Sequence, residues 1–235
     1  MAEFDFDKFT KDLMQGISSA ANSVSAAASG AAADVSRFRE INQVGRDLFL
    51  NQLTVGQGSA VSVCDGQTIW ITREAARLGH LSPNDIQSIT LTPAVDEAPA
   101  ADELLWHRAI YQALAERLAA NGEVLATAAV IHSQGLHTTY HSLLTNSILP
   151  ADAVGQAYLG SAVPVLAPNE PLVAGDLAQT LAQLVRHGGQ LAVVRGRGAF
   201  VLADSLNNAQ NLTDILERTA QLAVLLSADH SKVGR

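Results

Sequence analysis

The segment AVSVCDGQTIWIT, residues 60–72, contains two runs of strand-forming residues separated by Asp65-Gly66. An Asp-Gly pair between two such runs is a strong hairpin signal, because glycine readily adopts the positive φ that a two-residue turn requires. The chain is therefore expected to contain a sheet with at least one antiparallel pair of strands. This excludes an all-helical fold.

Helical and strand-like patterns alternate through the rest of the chain. Helices are predicted where apolar residues recur every three or four positions, at residues 40–53, 102–120, 175–188 and 208–228. Strands are predicted at 124–132 and on both sides of the Arg195–Gly198 turn, and Ser82-Pro83 should cap a short helical turn that leads into a further strand. The mixture of hairpins and helices predicts an α/β domain around a largely antiparallel or mixed sheet.

Composition excludes several classes of protein. The net charge of −8 and the lack of clustered Lys and Arg predict no nucleic-acid partner. Cys64 is the single cysteine, so an intrachain disulfide or a cysteine-based zinc site is excluded. No apolar run reaches the roughly 18 residues that span a bilayer, and the N-terminus lacks the basic start of a secretory signal. A cytoplasmic protein without a transmembrane segment is predicted.

Residues 1–36 differ from the body and are predicted to form a leader ahead of a domain at 37–235. Phe6, Phe9, Leu13 and Ile17 give an apolar stripe at helical spacing, and residues 18–33 are almost entirely small. One interpretation is a helix that docks on a neighbouring subunit or on a separate host protein, with the small residues as connector. The other is a flexible leader that the protein does not use.

The stretch VIHSQGLHTTYHSLL, residues 130–144, contains His132, His137 and His141. His137 and His141 are four positions apart, a spacing at which two histidines on one helix face can bind zinc. No third ligand is evident in the sequence, which favours an ordinary polar face of a helix. A metal held by these two histidines together with a neighbouring subunit is the remaining alternative.

Five segments occur in order along the chain: GSAVSVCDGQTIWIT, LSPNDI, DELLWHRAIY, VIHSQGLHTT and RGRGAFVLADSLNNA. Together they resemble the class II aldolase/adducin family, whose members include L-fuculose phosphate aldolase. The resemblance runs from about residue 40 to residue 228. It implies a three-layer α/β/α fold and a cyclic homo-oligomer, commonly a tetramer, with the ancestral site near the subunit boundary.

The resemblance also implies a zinc ion held by three histidines, with a glutamate as general acid or base. Glu103 matches the glutamate and His132 the first ligand, whereas the other two ligand positions fall on Gln134 and Arg197. An amide is a poor zinc ligand, and a guanidinium has no lone pair to donate. No metal is therefore expected, and Arg197 is predicted to pair with Glu103 or another nearby carboxylate. His107 is interpreted as a structural histidine.

The positions that hold the substrate phosphate in family aldolases are also changed. They match Ala60, Glu74-Ala75 and Ala101-Asp102, where methyl groups and two carboxylates replace hydrogen-bond donors. The leading hypothesis is a non-catalytic member that serves for assembly or binding. The alternative is a lyase- or epimerase-like enzyme without metal or with altered metal chemistry, acting on a small non-phosphorylated carbonyl or carboxylate. In such an enzyme Glu103 would be the base, and Arg197 and His132 would hold the substrate as an electrophilic clamp.

Overall fold

A computed structural model describes residues 33–94, 100–168 and 172–233. The chain divides into two compact units, Met1–Arg39 and Glu40–Arg235. Residues 33–39 of the first unit are helical, and the predicted docking residues Phe6, Phe9, Leu13 and Ile17 lie outside the described residues. The docking role of the leader therefore stays a prediction.

The second unit alternates strands and helices along the chain. Its strands are β1 (Ala60–Cys64), β2 (Thr68–Thr72), β3 (Ile86–Thr90), β4 (Ala128–Ser133), β5 (Ser147–Ile148), β6 (Val163–Leu166), β7 (Leu191–Val194) and β8 (Gly198–Ala203). Its helices are α1 (40–50), α2 (Asp102–Ala120), α3 (Leu136–Leu144), α4 (Ala153–Leu159), α5 (Ala174–Arg186) and α6 (Leu206–Val233). In the parts of the chain that the structure describes, no helix is long and apolar enough to cross a membrane.

The eight described strands form one mixed sheet in the order β3-β2-β1-β4-β8-β7-β6-β5. Neighbouring strands are antiparallel, except that β6 and β7 run parallel. The predicted mixed sheet is therefore confirmed. The predicted hairpin is β1–β2, where the side-chain oxygen of Asp65 accepts hydrogen bonds from the backbone N–H groups of Gln67 and Thr68, and Gly66 adopts φ +90°.

Helices cover both faces of the sheet. Because side chains alternate along a strand, Val130 and Phe200 pack in a core with α2 and α5, whereas Val193 and Ala199 pack with Leu216 of α6 on the opposite face. This arrangement confirms the three-layer α/β/α architecture. It also directs His132, two residues after Val130 on β4, towards the α2 face.

Candidate functional site

A cavity of about 270 Å³ lies where the end of β4, the first turn of α2 and the β7–β8 turn meet. Its lining includes Glu74, Asp102, Glu103, His132, Gln134 and Arg197. The structure thus brings together the four positions of the implied zinc site and two of the altered phosphate positions. Ala60 pairs with His132 across the β1–β4 register, while Ala75 and Ala101 are chain neighbours of lining residues.

The β7–β8 turn can place Arg197 beside His132 because the residue after Arg197 is Gly198. Gly198 has φ +115°, and a Cβ atom there would overlap the carbonyl oxygen of Ser133 on β4. Only glycine tolerates both the backbone conformation and the close approach. The backbone carbonyl of Arg197 consequently faces the His132 ring.

His132 is held by two hydrogen-bond acceptors. Its Nδ1 lies 2.7 Å from Oε1 of Glu103, and its Nε2 lies 3.1 Å from the backbone carbonyl oxygen of Arg197. A carboxylate and a carbonyl oxygen both accept, so each ring nitrogen can form its bond only as a donor. The ring of Phe200 stacks on the imidazole at 4.1 Å and 5°, which fixes its orientation.

The carboxyl group of Glu103 is buried and ionised. Burial raises the pKa of Glu103, but the charge of His132 and hydrogen bonds from His107 and His132 outweigh this and bring the pKa down to about 2. His132 is the stronger partner, since Nε2 of His107 lies 3.6 Å from Oε2 of Glu103. Glu103 therefore stays anionic across the physiological range.

A buried polar chain extends from Glu103 along α2 to β1. His107 is fully buried, its Nδ1 lies 2.7 Å from Oγ of Ser62, and Ser62 lies 2.7 Å from the hydroxyl of Tyr111. Burial lowers the pKa of His107 and raises the pKa of Tyr111 well above its ordinary value. The contacts are consistent with the structural role assigned to His107 from the sequence. Sequence reasoning missed Ser62 and Tyr111.

The structure agrees only in part with the pairing predicted for the side chain of Arg197. In the described part of the chain, the carboxylate of Glu103 has His132 and His107 as its side-chain partners, and the predicted Arg197–Glu103 pair is not formed. Two histidines meet the electrostatic need of the buried carboxylate, and Arg197 contributes a backbone carbonyl instead. Pairing of Arg197 with another carboxylate stays a prediction.

The residues at the implied ligand positions do not fit zinc. The side-chain amide of Gln134 donates to the carbonyl oxygen of Gly58 at 2.9 Å, the ring nitrogens of His132 face a carboxylate and a carbonyl oxygen, and Arg197 is a guanidinium. Within the described ranges, no group of three or more His, Cys, Asp or Glu is arranged to hold a metal ion. No chemical step is therefore assigned to a metal at this position.

His137 and His141 have partners within the chain. Glu217 of α6 accepts hydrogen bonds from the backbone N–H groups of His137 and Thr138, and Nδ1 of His137 lies 2.8 Å from the same carboxylate. Nδ1 of His141 lies 2.9 Å from the hydroxyl of Thr145. Glu217 therefore satisfies the open N-terminal amides of α3, which favours a structural role for His137 over metal binding.

The burial of His107 gives a testable pH dependence. The unfolded chain takes up a proton at this residue as pH falls below the ordinary value of 6.5, whereas the folded chain, with its lowered pKa, does not. Stability is therefore expected to fall on acidification, by up to about 1.4 kcal/mol per pH unit for this group. Urea denaturation of His107→Gln, compared with the unmodified protein, should show a flatter pH profile between about pH 6.5 and 5.

His187 is exposed at the end of α5 and provides the matched control. His187→Gln should leave the pH profile unchanged. A profile for His107→Gln as steep as that of the unmodified protein would show that His107 takes up a proton in the folded state as well.

Known proteins are similar to this chain over most of its length. Residues 39–224 match the model of the Class II Aldolase and Adducin N-terminal domain. The chain is 24% identical over 188 residues to L-fuculose phosphate aldolase of Methanococcus maripaludis, covering 80% of this chain and 96% of that protein. It is 25% identical to the Methanocaldococcus jannaschii aldolase of the same name, covering 80% and 95%.

A solved structure shows the same fold. The crystal structure of L-fuculose-1-phosphate aldolase from Thermus thermophilus superposes with a TM-score of 0.69 at 25% identity, covering 84% of this chain and 98% of that one. The likeness therefore extends over nearly the whole of the solved enzyme. The differences that matter for function are those at individual site residues.

Proposed function

The chain belongs to the class II aldolase and adducin N-terminal domain family, and we propose that it is a non-catalytic member acting as an oligomeric binding or assembly module. The observation that carries the proposal is the set of residues around His132. Its two ring nitrogens face acceptors of the protein itself, and its neighbours at the implied ligand positions are an amide and a guanidinium. We therefore do not assign to this chain the aldolase activity that the names of its relatives state.

The altered phosphate positions support the same proposal independently. Ala60, Ala75 and Ala101 supply methyl groups, and Glu74 and Asp102 line the cavity. Binding of a phosphate dianion depends on N–H and O–H donors and positive potential. Two carboxylates on the cavity wall repel such a group. A sugar phosphate would therefore meet neither a metal nor a phosphate cradle.

The alternative is an enzyme that keeps Glu103 as its base, with Arg197 and His132 holding a small carbonyl or carboxylate substrate. The ionisation of Glu103 weighs against it. Although burial opposes ionisation, the two histidines bring the pKa of Glu103 down to about 2. A carboxylate so strongly stabilised as an anion has little tendency to accept a proton from carbon.

Metal analysis of the purified protein tests the proposal. After dialysis against buffer with micromolar zinc, the protein should retain far less than one zinc ion per chain, because no set of three neutral donors among the described residues converges on the site. One zinc ion per chain that is lost in a His132→Ala variant would contradict the proposal.

The assembly part of the proposal rests on an exposed apolar face of α3. Leu136, Tyr140, Leu143 and Leu144 recur at helical spacing and are 49–72% exposed. Monomeric proteins seldom expose such a contiguous apolar patch. The face adjoins the cavity, because Leu143 lies against Gly196 of the β7–β8 turn. We propose that a second copy of this chain covers this face, while a host protein for the leader stays a prediction.

A further inference from the structure

The two ends of the sheet are protected to different degrees. At one end β5 has only two residues, and the strand beside it, β6, contains Pro164. At the other end β3 has five residues, pairs with β2 in regular register along its whole length, and contains neither proline nor a charged residue. Native proteins protect edge strands by making them short or by adding prolines, charges or bulges. β3 has none of these features.

The pairing of β3 with β2 determines which backbone groups of β3 point outwards. The backbone N–H of Leu91 donates to the carbonyl oxygen of Gln67 at 2.7 Å, and this pair continues the register of the two strands by one position. Hydrogen-bonded and non-hydrogen-bonded pairs alternate along an antiparallel ladder. The residues of β3 that turn their N–H and C=O groups away from β2 are therefore Ile86, Ser88 and Thr90.

Most of these outward backbone groups have no partner. Among the described residues, the N–H and C=O groups of Ser88 and Thr90 make no hydrogen bond, whereas the N–H of Ile86 donates to the carbonyl oxygen of Pro83. Ser88 and Thr90 are also exposed. β3 therefore presents a row of open donors and acceptors at the edge of the sheet, which is the kind of surface that binds an added strand.

A second copy of β3 is complementary to this row. When the two strands run antiparallel with Ser88 opposite Ser88 of the second copy, Ile86 lies opposite Thr90, and the open N–H groups of each strand face C=O groups of the other. A two-fold contact also brings each residue near the axis close to its own counterpart, where a charged residue would repel itself. β3 contains no charged residue, so nothing in the strand opposes this pairing.

We infer that β3 pairs antiparallel with β3 of a second copy about a two-fold axis at Ser88, which joins the two sheets edge to edge. The inference deepens the proposed function, since it adds a second contact to the assembly, but it rests on the backbone of β3 and not on the α3 face. A contact of five residues on each side is small compared with the roughly 800 Å² per partner of a stable interface. Pairing through β3 alone is therefore expected at high protein concentration.

Opposite charges introduced at Ser88 test the inference. Light scattering at about 500 μM protein should give the unmodified chain about twice the mass of Ser88→Lys or of Ser88→Glu, because each variant brings like charges together at the axis. An equimolar mixture of the two variants should recover the larger mass, because lysine then lies opposite glutamate. Val124→Lys, at an exposed residue in the loop after α2, should keep the mass of the unmodified protein.

Equal masses of the unmodified protein and both variants would overturn the inference, and so would a mixture that keeps the mass of the separate variants. Ser88 is exposed and edge strands tolerate charged residues, so the variants should fold, which circular dichroism and the thermal midpoint check. Cleavage of a sugar phosphate by the unmodified protein would instead overturn the proposed function, whatever the masses are. The two failures are therefore distinguishable.

Discussion

Zinc affinity is expected to rise at least about a thousandfold when Gln134 and Arg197 are both replaced by histidine. Both positions line the cavity with His132, and the change removes a fixed positive charge while it adds two imidazoles. Zinc would then compete with Glu103 and with the carbonyl of residue 197 for the ring nitrogens of His132. Competition with a chromophoric chelator at about pH 7.5 measures the affinity.

The control is Gln134→Ala/Arg197→Ala, which opens the same space without adding ligands. Each single histidine variant should bind more weakly than the pair. If the histidine pair binds zinc no better than the alanine pair, the match of these positions to the ligands of the family is wrong. Turnover of a sugar phosphate should not follow zinc binding, because Glu74 and Asp102 still occupy the phosphate positions.

Charging the exposed face of α3 is expected to separate the subunits. Tyr140→Glu/Leu144→Glu places two carboxylates where the proposed neighbouring copy would bury apolar side chains, and unpaired buried charges are costly. The mass measured by multi-angle light scattering should fall from that of an oligomer, proposed to be a tetramer-like ring, to that of a single chain.

Val124, which is 87% exposed in the loop after α2, provides the control. Val124→Glu should leave the mass unchanged. If the unmodified protein is already a single chain, or if the α3 variant keeps the mass of the oligomer, the proposed interface is wrong. Deletion of residues 1–35 in the same experiment tests the leader separately.

Much of the fold follows from local signals in the sequence. The Asp65-Gly66 turn and the capping of Pro83–Asp85 by Ser82 are formed as predicted, with the backbone N–H and the hydroxyl of Ser82 both donating to Asp85. Ile41, Val44 and Leu48 are buried as their spacing predicts. These elements could be predicted because the residues that determine them are close together in the chain.

The segment from β5 to β6 could not be predicted in the same way. β5 has two residues, β6 contains Pro164, and α4 has seven residues with Gly155 packed closely against Thr219 of α6. Elements this short carry too few residues for a periodic pattern. Tertiary packing against α6 therefore determines this segment rather than local propensity.

The residues of the site could be predicted more readily than their contacts. Resemblance to the family singled out Glu103, His132, Gln134 and Arg197, and all four line one cavity. Which atoms pair across that cavity depends on side-chain orientation, which spacing does not reveal. One signal was available, because Glu103, His107 and Tyr111 recur every four residues on one face of α2, and these residues form the buried polar chain with Ser62.

The assay that tests the central claim most directly is turnover of L-fuculose 1-phosphate by the unmodified protein, with and without added zinc. An L-fuculose phosphate aldolase assayed in parallel establishes that cleavage is detectable. The structure leads us to expect no cleavage above the protein-free background in either condition, since neither three metal ligands nor a phosphate cradle is present among the site residues. Cleavage that depends on zinc and disappears in Glu103→Gln would show that this chain is an active aldolase and would contradict the non-catalytic function.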